Sequence, residues 1–243
     1  MNLIPARLPW LAGTRGDAAS RQSRQNYVLA AALAVAAFAS LAIDIAAAQF
    51  VQRNHTGGVF REVANLLTQA EPFAHAAGVA VIMLVIYVLD PQRRAYLLRV
   101  GVCAFGAGLA ADVVKVAVIR SRPRHMPDAA SVGDTFHGWF LLLRDFSMVT
   151  ERALQSFPSG HAATAAGFAV ALSWLYPRGR WLFFTLAMLA AFQRVATSAH
   201  FVSDICAGAA IGCFLAALIT DSRLLGRWFD RYEARRSNAA ASA

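Results

Sequence analysis

The chain has 243 residues, of which 58% are hydrophobic and 15% are charged, and its formal net charge is +9. Soluble domains contain roughly 45–50% apolar residues, so this composition argues against a soluble domain and indicates an integral membrane protein. The basic residues lie between apolar runs, as in the loops of membrane proteins, which argues against a nucleic-acid-binding protein. All three cysteines lie inside apolar runs, and we interpret them as core residues.

Six apolar segments approach the length that a membrane-spanning helix needs, which is about 20 residues with a range of roughly 17 to 25. They are residues 27–48, 73–89, 100–119, 160–176, 181–199 and 201–220. The predicted fold is therefore all-α, a polytopic membrane protein with six transmembrane helices in a bundle. The first segment follows a basic leader without a small-residue cleavage site, so we expect a retained anchor rather than a signal peptide.

These segments divide the chain into a leader, a membrane domain and a tail, at residues 1–26, 27–220 and 221–243. The tail is basic, and its Ala-rich end is predicted to be disordered. We expect short interfacial helices in the outer loops. Residues 54–71 carry apolar residues at helical spacing, which predicts an amphipathic helix on the outer surface. The centre of the loop 121–158 is too short to span, and we expect Trp139 and Phe140 to anchor it in the membrane interface.

The positive charges predict how the chain sits in the membrane. The leader, the tail and every second connection between the segments lie on one face of the membrane. Together they carry more Lys and Arg than the connections on the opposite face. By the positive-inside rule, both termini are expected in the cytoplasm. Short loops and an Ala- and Arg-rich composition favour a bacterial inner membrane, with the opposite face in the periplasm.

With this topology, polar residues from three helical hairpins fall at one membrane depth, at the outer ends of the helices. They are Lys115 about a turn before the outer end of the third segment and Arg122 just beyond it, Ser159, Gly160 and His161 at the start of the fourth, Arg194 near the end of the fifth, and His200 and Asp204 at the start of the sixth. Ionisable residues inside membrane helices are costly and usually functional. Their coincidence predicts a functional site.

Each residue alone also has a purely structural explanation. Lys115 could extend toward the interface with Asp112 as its i,i+3 partner. His161 could be a hydrogen-bonded core histidine. His200 and Asp204, four residues apart on one helix face, could form a structural pair. The functional interpretation therefore depends on the set and not on any one member.

As a set, the residues predict a phosphate site. Arg offers planar bidentate donors, Lys offers a point charge, and the N–H groups of a helix N-terminus bind anions, which Gly160 lets approach closely. Two histidines can supply a nucleophile and a proton donor, and Asp204 can fix the tautomer of His200 and stabilise its imidazolium. A metal site is the rival use of His and Asp. Three cations would repel a divalent ion, however, so no metal is expected.

Three motifs carry a family resemblance. Lys115 begins KVAVIRSRP, which fits K-x6-R-P; residues 158–161 read PSGH; and Arg194 begins RVATSAHFVSD, which fits R-x5-H-x3-D. Over residues 100–219, with the motifs in 115–204, the chain resembles the type 2 phosphatidic acid phosphatase superfamily, membrane lipid phosphate phosphatases related to vanadium haloperoxidases. One departure is Gln193, where the family usually has Ser before the Arg. We expect altered positioning there rather than lost activity.

The resemblance implies a role for each residue and no cofactor. His200 would attack phosphorus and form a phosphohistidine, and Asp204 would orient it. His161 would protonate the leaving oxygen and later activate water. The phosphate would be held by Lys115, Arg122, Ser159, Gly160 and Arg194.

An outer site in a membrane suits an amphiphilic substrate with its phosphate in the pocket and its tail between helices. The candidates are polyprenyl diphosphate, phosphatidylglycerol phosphate, phosphatidic acid and the phosphates of lipid A. A lipid phosphotransferase would use the same site with an acceptor alcohol in place of water. A phosphate transporter would need broken helices or inverted repeats, which are not evident in the sequence, and a scaffold would leave the coincidence of cations and histidines unexplained. The oligomeric state stays open.

Overall fold

A computed structural model describes residues 15–55, 57–140 and 151–241 of the chain, with side chains over 21–55, 57–140 and 151–236. Its longer helices are α1 (Arg15–Ser40), α2 (Asp44–Asn54), α3 (Gly58–Thr68), α4 (Ala76–Leu89), α5 (Leu97–Ala117), α6 (Gly160–Leu175), α7 (Arg180–Ala196), α8 (Val202–Thr220) and α9 (Gly226–Ala241). Two short strands, β1 (Val118–Arg120) and β2 (Phe136–Trp139), pair antiparallel. The described part of the chain is all-α apart from this small sheet.

The described helices include three that are long and apolar enough to cross a membrane. These lie in Arg21–Asn54, Pro91–Ala117 and Val202–Thr220, and a fourth span is possible if Gly58–Phe73 and Ala76–Leu89, bent by 58°, act as one. Helices α6 and α7 have 16 and 17 residues, which is shorter than the usual length. The all-α class is therefore confirmed, with three to four candidate membrane spans among the described helices, whereas the count of six spans stays a prediction.

The first apolar segment changes from an α-helix to a short 3-10 turn where its polar residues lie. The helix α1 ends at Ser40, whose hydroxyl donates to the carbonyl of Ala37, and a single 3-10 turn, Leu41–Ile43, leads into α2. A serine hydroxyl that bonds back to the preceding turn competes with the α-helical hydrogen bonds and favours such an irregularity. Asp44 begins α2 and is completely buried. A charged residue therefore lies inside the bundle directly after this turn.

Small residues let the helices approach closely around α6, which is buried along most of its length. The helix α8 packs against α1, α5 and α6, and α6 also packs against α5 and α7. A Cβ on Gly208 or Gly212 of α8 would lie 2.2 Å from the carbonyl oxygen of Ser159 or Ala163, so no larger residue fits there. Close backbone contact of this kind is typical of membrane helix packing. It brings the start of α8 against the start of α6.

The third apolar segment departs from its predicted boundary. The helix α5 ends at Ala117, and Val118–Arg120 is a buried strand rather than the last turn of a helix. Its partner is the strand Phe136–Trp139, which lies in the loop 121–158. The prediction of short interfacial helices in the outer loops is therefore wrong for these four residues. Residues 141–150 lie outside the described part. The β-branched Val118 and Ile119 fit a buried strand as well as an apolar helix, which explains the error.

Two other predictions concern the surface. The amphipathic helix expected in 54–71 is confirmed as α3, with Val59, Val63 and Leu66 exposed. Trp139 and Phe140 are also exposed, and their contact with a membrane interface stays a prediction. The tail forms α9, which extends to Ala241 and thus into the segment expected to be disordered. That expectation stays a prediction.

Candidate active site

The predicted site residues gather at one end of the bundle, where α5 and α7 end and where α6 and α8 begin. We call this the histidine end. The opposite end carries Arg99 near the start of α5 and is called the Arg99 end.

His200 lies in the turn between α7 and α8 and is 3% exposed. Its Nδ1 is 2.7 Å from the carbonyl oxygen of Ser156. Because a carbonyl oxygen only accepts, Nδ1 carries the proton and donates, which leaves the lone pair on Nε2. Burial lowers the pKa of His200 below its ordinary value, Arg122 and Arg194 lower it further, and Asp204 opposes the shift. The ring is therefore favoured in its neutral form, with the lone pair of Nε2 free.

Asp204 is completely buried and has its own set of donors. Its Oδ1 accepts from Arg120 Nη1 at 2.6 Å, and its Oδ2 accepts from Ser156 Oγ at 2.6 Å and from the N–H of Phe201 at 2.8 Å. The Oδ2 atom is 3.7 Å from His200 Nδ1, longer than a hydrogen bond. In this geometry the Ser156 carbonyl holds the tautomer of His200, and Asp204 acts on the ring through its charge.

A tight turn carries His200 to this position. The carbonyl of Arg194 accepts from the N–H of Ala199 and of His200, and Ser198 has a φ of 51°, in the left-handed region. Gln193, at the position of the usual Ser, is buried, and its Oε1 accepts from Arg194 Nη1 at 3.4 Å. The substitution therefore places a side chain in direct contact with one of the predicted phosphate-binding cations.

The N-terminus of α6 presents Ser159, Gly160 and His161. The hydroxyl of Ser159 caps the helix by accepting from the N–H of Ala162 at 3.4 Å, and a Cβ on Gly160 would lie 3.2 Å from Lys115 Nζ. Glycine therefore lets the lysine approach this helix end. His161 is partly exposed, and its electrostatic neighbours include Lys115, Arg194 and His200. The structure thus brings the three motifs together.

Two of the three predicted cations have a carboxylate partner at this end. Lys115 Nζ lies 2.7 Å from Asp112 Oδ1, and Arg194 Nη1 lies 3.4 Å from Glu71 Oε1. The contact with Glu71 joins the segment before α4 to the site, which the sequence did not predict.

Two arginines at the site have buried N–H groups without acceptors. Among the described residues, the Nε atoms of Arg122 and Arg194 are both buried and have no hydrogen-bond partner. Burial, aided by the neighbouring Arg124, Arg194 and Arg152, lowers the pKa of Arg122 to about 10, so the guanidinium stays charged near neutral pH. Guanidinium N–H groups of this kind are suited to the oxygens of a phosphate.

Two charged residues at this end are absent from the predicted set. Arg120 is completely buried and bridges Asp44 and Asp204. A signal for Asp44 was present, because it is the only charged residue in the predicted segment 27–48. Arg120 has a weaker signal, since it stands two residues before Arg122 in a run of basic residues.

A metal site was the rival interpretation of the His and Asp residues. Within the described ranges, no group of three or more His, Cys, Asp or Glu side chains could hold a metal ion. Metal independence of the reaction stays a prediction.

Comparison with known families agrees with the motifs. The profile of the PAP2 superfamily matches residues 96–225, more than half of the chain. The chain belongs to the PAP2 superfamily. The match contains every predicted site residue from Lys115 to Asp204, whereas Asp44 precedes it.

Two curated relatives are lipid A 1-phosphatases from rhizobia. The protein of Rhizobium johnstonii is 37% identical over 112 residues, which cover 46% of this chain and 41% of the relative. The protein of Rhizobium etli is 35% identical over 113 residues, which cover 46% of this chain and 44% of the relative. The similarity thus spans less than half the length of these relatives. No solved structure matches this PAP2 chain significantly.

Proposed function

We propose that the protein is an integral membrane phosphatase that hydrolyses a lipid phosphate or diphosphate monoester through a phosphohistidine at His200. One arrangement carries the proposal. His200 is held by the Ser156 carbonyl with Nε2 as its free nitrogen, and Arg122 and Arg194 present unpaired N–H groups nearby. This combination of nucleophile and anion-binding donors suits phosphoryl transfer.

The reaction has two displacement steps. In the first, His200 Nε2 attacks phosphorus, the bond from phosphorus to the leaving oxygen breaks, and His161 donates its proton to that oxygen. In the second, His161 takes a proton from water, the hydroxide attacks the phosphohistidine, and the phosphorus–nitrogen bond breaks. Inorganic phosphate leaves, and His200 returns to its neutral form. The phosphate is held throughout by Lys115, Arg122, Arg194, Ser159 and the N–H of Gly160.

Lipid A phosphate is the first of the four candidate substrates. Two relatives are named lipid A 1-phosphatases, which favours a phosphate monoester on a lipid of this class. The exposed apolar residues of α3 and the exposed Trp139 lie on elements that join the histidine end, where lipid tails would approach. We propose a metal-independent reaction, because the cations at the site supply the charge stabilisation that a metal would otherwise give.

We further propose that both termini lie in the cytoplasm of a bacterium and that the histidine end faces the periplasm. The Arg-rich tail helix α9 lies at the Arg99 end, which agrees with the positive-inside rule. The short helices α6 and α7 would cross the membrane as part of the six-helix bundle, with their connecting turns completing the span. Reporter fusions after residues 140 and 236 test this topology and should report opposite sides.

The test is release of inorganic phosphate by the detergent-purified protein in EDTA. The panel contains lipid A phosphate, phosphatidic acid, phosphatidylglycerol phosphate and polyprenyl diphosphate. His200→Ala is the test variant, and His55→Ala is the matched control, because His55 is exposed and outside the motifs. We expect release by wild type and His55→Ala and a loss of about 10⁴-fold or more in His200→Ala.

Three other results would count against the proposal. Release that EDTA abolishes points to metal catalysis. Release that persists in His200→Ala excludes the histidine nucleophile. No release, with labelled phosphate instead appearing on an added lipid alcohol, supports a phosphotransferase.

A further inference from the structure

A buried ion cluster connects the first helical segment to the candidate active site. Arg120 Nη2 donates to Asp44 Oδ2 at 2.7 Å, and Arg120 Nη1 donates to Asp204 Oδ1 at 2.6 Å. Asp44 also accepts from Ser203, from its N–H at 3.0 Å and from its hydroxyl. All three charged side chains are completely buried. We call Asp44, Arg120 and Asp204 the Arg120 cluster.

The cluster has a partner for each guanidinium nitrogen. Arg120 Nε donates to Thr135 Oγ1 at 3.1 Å, and Nη1 also reaches Ser203 Oγ at 2.7 Å. The guanidinium lies against the rings of Phe201 and Phe136, at 4.0 and 4.5 Å from the ring centroids. In a low-dielectric site, a fully bonded network of this kind is rigid, and removing one partner is strongly unfavourable.

The cluster reaches His200 through Asp204 by two routes. Asp204 Oδ2 accepts from the N–H of Phe201, the residue after His200, and it also accepts from Ser156 Oγ. The carbonyl of the same Ser156 accepts from His200 Nδ1. A shift of the Asp204 carboxylate would therefore disturb both the turn that carries the ring and the acceptor that orients it.

We propose that Asp44 and Arg120 are positioning residues of this site, which fix the Asp204 carboxylate and thereby the orientation of His200. The inference rests on the proposed function and extends the site to the first helical segment, outside the family match at residues 96–225. Neither residue touches the reacting atoms, so both act through Asp204.

The cluster also sets the charge near His200. Two carboxylates and one guanidinium carry a net charge of one negative unit. Further charged or titratable groups near the ring include Arg122 after β1, Arg194 on α7 and His161 on α6. Removal of the Asp44 carboxylate charge takes one negative charge out of the cluster, which disfavours the imidazolium form of His200.

The Arg99 end supplies a matched control. Arg99 is 1% exposed and also binds two carboxylates, those of Glu233 and Asp230. Arg99→Lys therefore measures what the loss of a buried guanidinium costs the bundle without touching the histidine end. Comparison with Arg120→Lys separates positioning from general stability.

The experiment measures kcat, KM and the pH profile of kcat/KM for full-length wild type, Asp44→Asn, Arg120→Lys and Arg99→Lys. The substrate is the lipid of the panel that wild type hydrolyses fastest. The acid limb of kcat/KM reports deprotonation of the free enzyme, and any ionisation of the substrate is common to all variants. Thermal unfolding of each variant in detergent is recorded beside the kinetics.

For Asp44→Asn we expect kcat to fall about 10- to 100-fold, since small misplacement of a reacting group has effects of that size. Its acid limb should move to lower pH, because one negative charge is lost from the cluster beside His200. Arg120→Lys keeps the positive charge but cannot bind Asp44 and Asp204 at the same time. Its kcat should therefore fall, while the acid limb of kcat/KM stays at the wild-type pH. Arg99→Lys should retain the kcat and pH profile of wild type.

Two results would overturn the inference while leaving the proposed function intact. In one, wild type is active and Asp44→Asn has the same kcat and the same acid limb of kcat/KM as wild type. The other is an equal loss of kcat in Arg99→Lys and Arg120→Lys, which would show a general effect of buried-charge loss. A wild type that releases no phosphate from any lipid would overturn both the inference and the proposed function.

Discussion

Two buried arginines occupy opposite ends of the same bundle, and each binds two carboxylates. At the histidine end, Arg120 and both of its carboxylate partners are completely buried. At the Arg99 end, Glu233 is 6% exposed and Asp230 is 42% exposed. One cluster is closed to solvent and the other is partly open.

The clusters also differ in what they connect. The Arg120 cluster joins α2, β1 and α8 beside His200, whereas Arg99 joins α5 to the tail helix α9. Arg99 stacks on Trp174 at 4.5 Å, and its Nη1 has no partner within the described part of the chain. Buried ion pairs are weak evidence for stability, because desolvation offsets their attraction. The closed cluster is better explained by the precision that the neighbouring histidine requires, and the open one by docking of the tail.

The largest difference between the ends is expected when one carboxylate is removed from each. Asp204→Asn should lower kcat by about 10²- to 10³-fold with KM within about threefold, because the carboxylate stabilises charge that develops on His200. Asp230→Asn should leave both constants within about twofold. Steady-state kinetics on the preferred lipid measure the contrast. A large rise in KM for Asp204→Asn at unchanged kcat would contradict the role given to this residue.

A smaller difference is expected for arginines with unpaired N–H groups. Arg122→Lys should lower kcat/KM by roughly 10- to 100-fold, because lysine cannot reproduce the planar donors of arginine on a phosphate. Arg99→Lys, which also removes an unpaired buried N–H, should change kcat/KM by less than about twofold. Wild-type kcat/KM in Arg122→Lys would show that Arg122 does not contact the phosphate.

The smallest effect is expected in how strongly docking of the tail helix α9 depends on pH. Burial raises the pKa of Glu233 from its ordinary value to about 7, with Asp230 adding to the shift and Arg99 opposing it. The docked tail thus holds a proton that the released tail gives up, so docking is strongest at low pH and weakens as pH rises through 7. Amide exchange in α9, corrected for its intrinsic pH dependence, should be roughly tenfold faster at about pH 8.5 than at about pH 5.5.

The matched variant for this prediction is Glu233→Gln, which cannot ionise. Its corrected exchange in α9 should not depend on pH, whereas phosphate release should match wild type at each pH. Equal pH dependence in Glu233→Gln and wild type would mean that another group controls the tail.

The motif residues could be predicted from the sequence because helix order alone brings their segments to one end of a bundle. His161, Arg194 and His200 each stand at the beginning or end of an apolar segment, and such boundaries are readable from composition. The same reading placed α3 correctly. It failed at Val118 and Ile119, where the apolar run continues without a break although the backbone changes from helix to strand.

The contacts that complete the site could not be predicted in this way. Asp44 and Arg120 are 76 residues apart, and their pairing depends on how α2 packs against the start of α8. Likewise, the acceptor for His200 Nδ1 is a backbone carbonyl. Every residue type has this group, so the sequence does not indicate which one accepts. A charged residue in an apolar segment can indicate that a partner exists, but only the packing identifies it.

The most direct test of the account is to trap the phosphorylated enzyme. A lipid substrate carrying radioactive phosphorus is mixed with wild type, His200→Ala and His161→Ala, and the reaction is quenched in base, which preserves phosphohistidine. We expect label on the peptide that contains His200 in wild type and no label in His200→Ala. In His161→Ala the label should form more slowly and also decay more slowly, because His161 takes part in both steps. Phosphate release by wild type with no label on His200, or with label on another residue, would contradict the account.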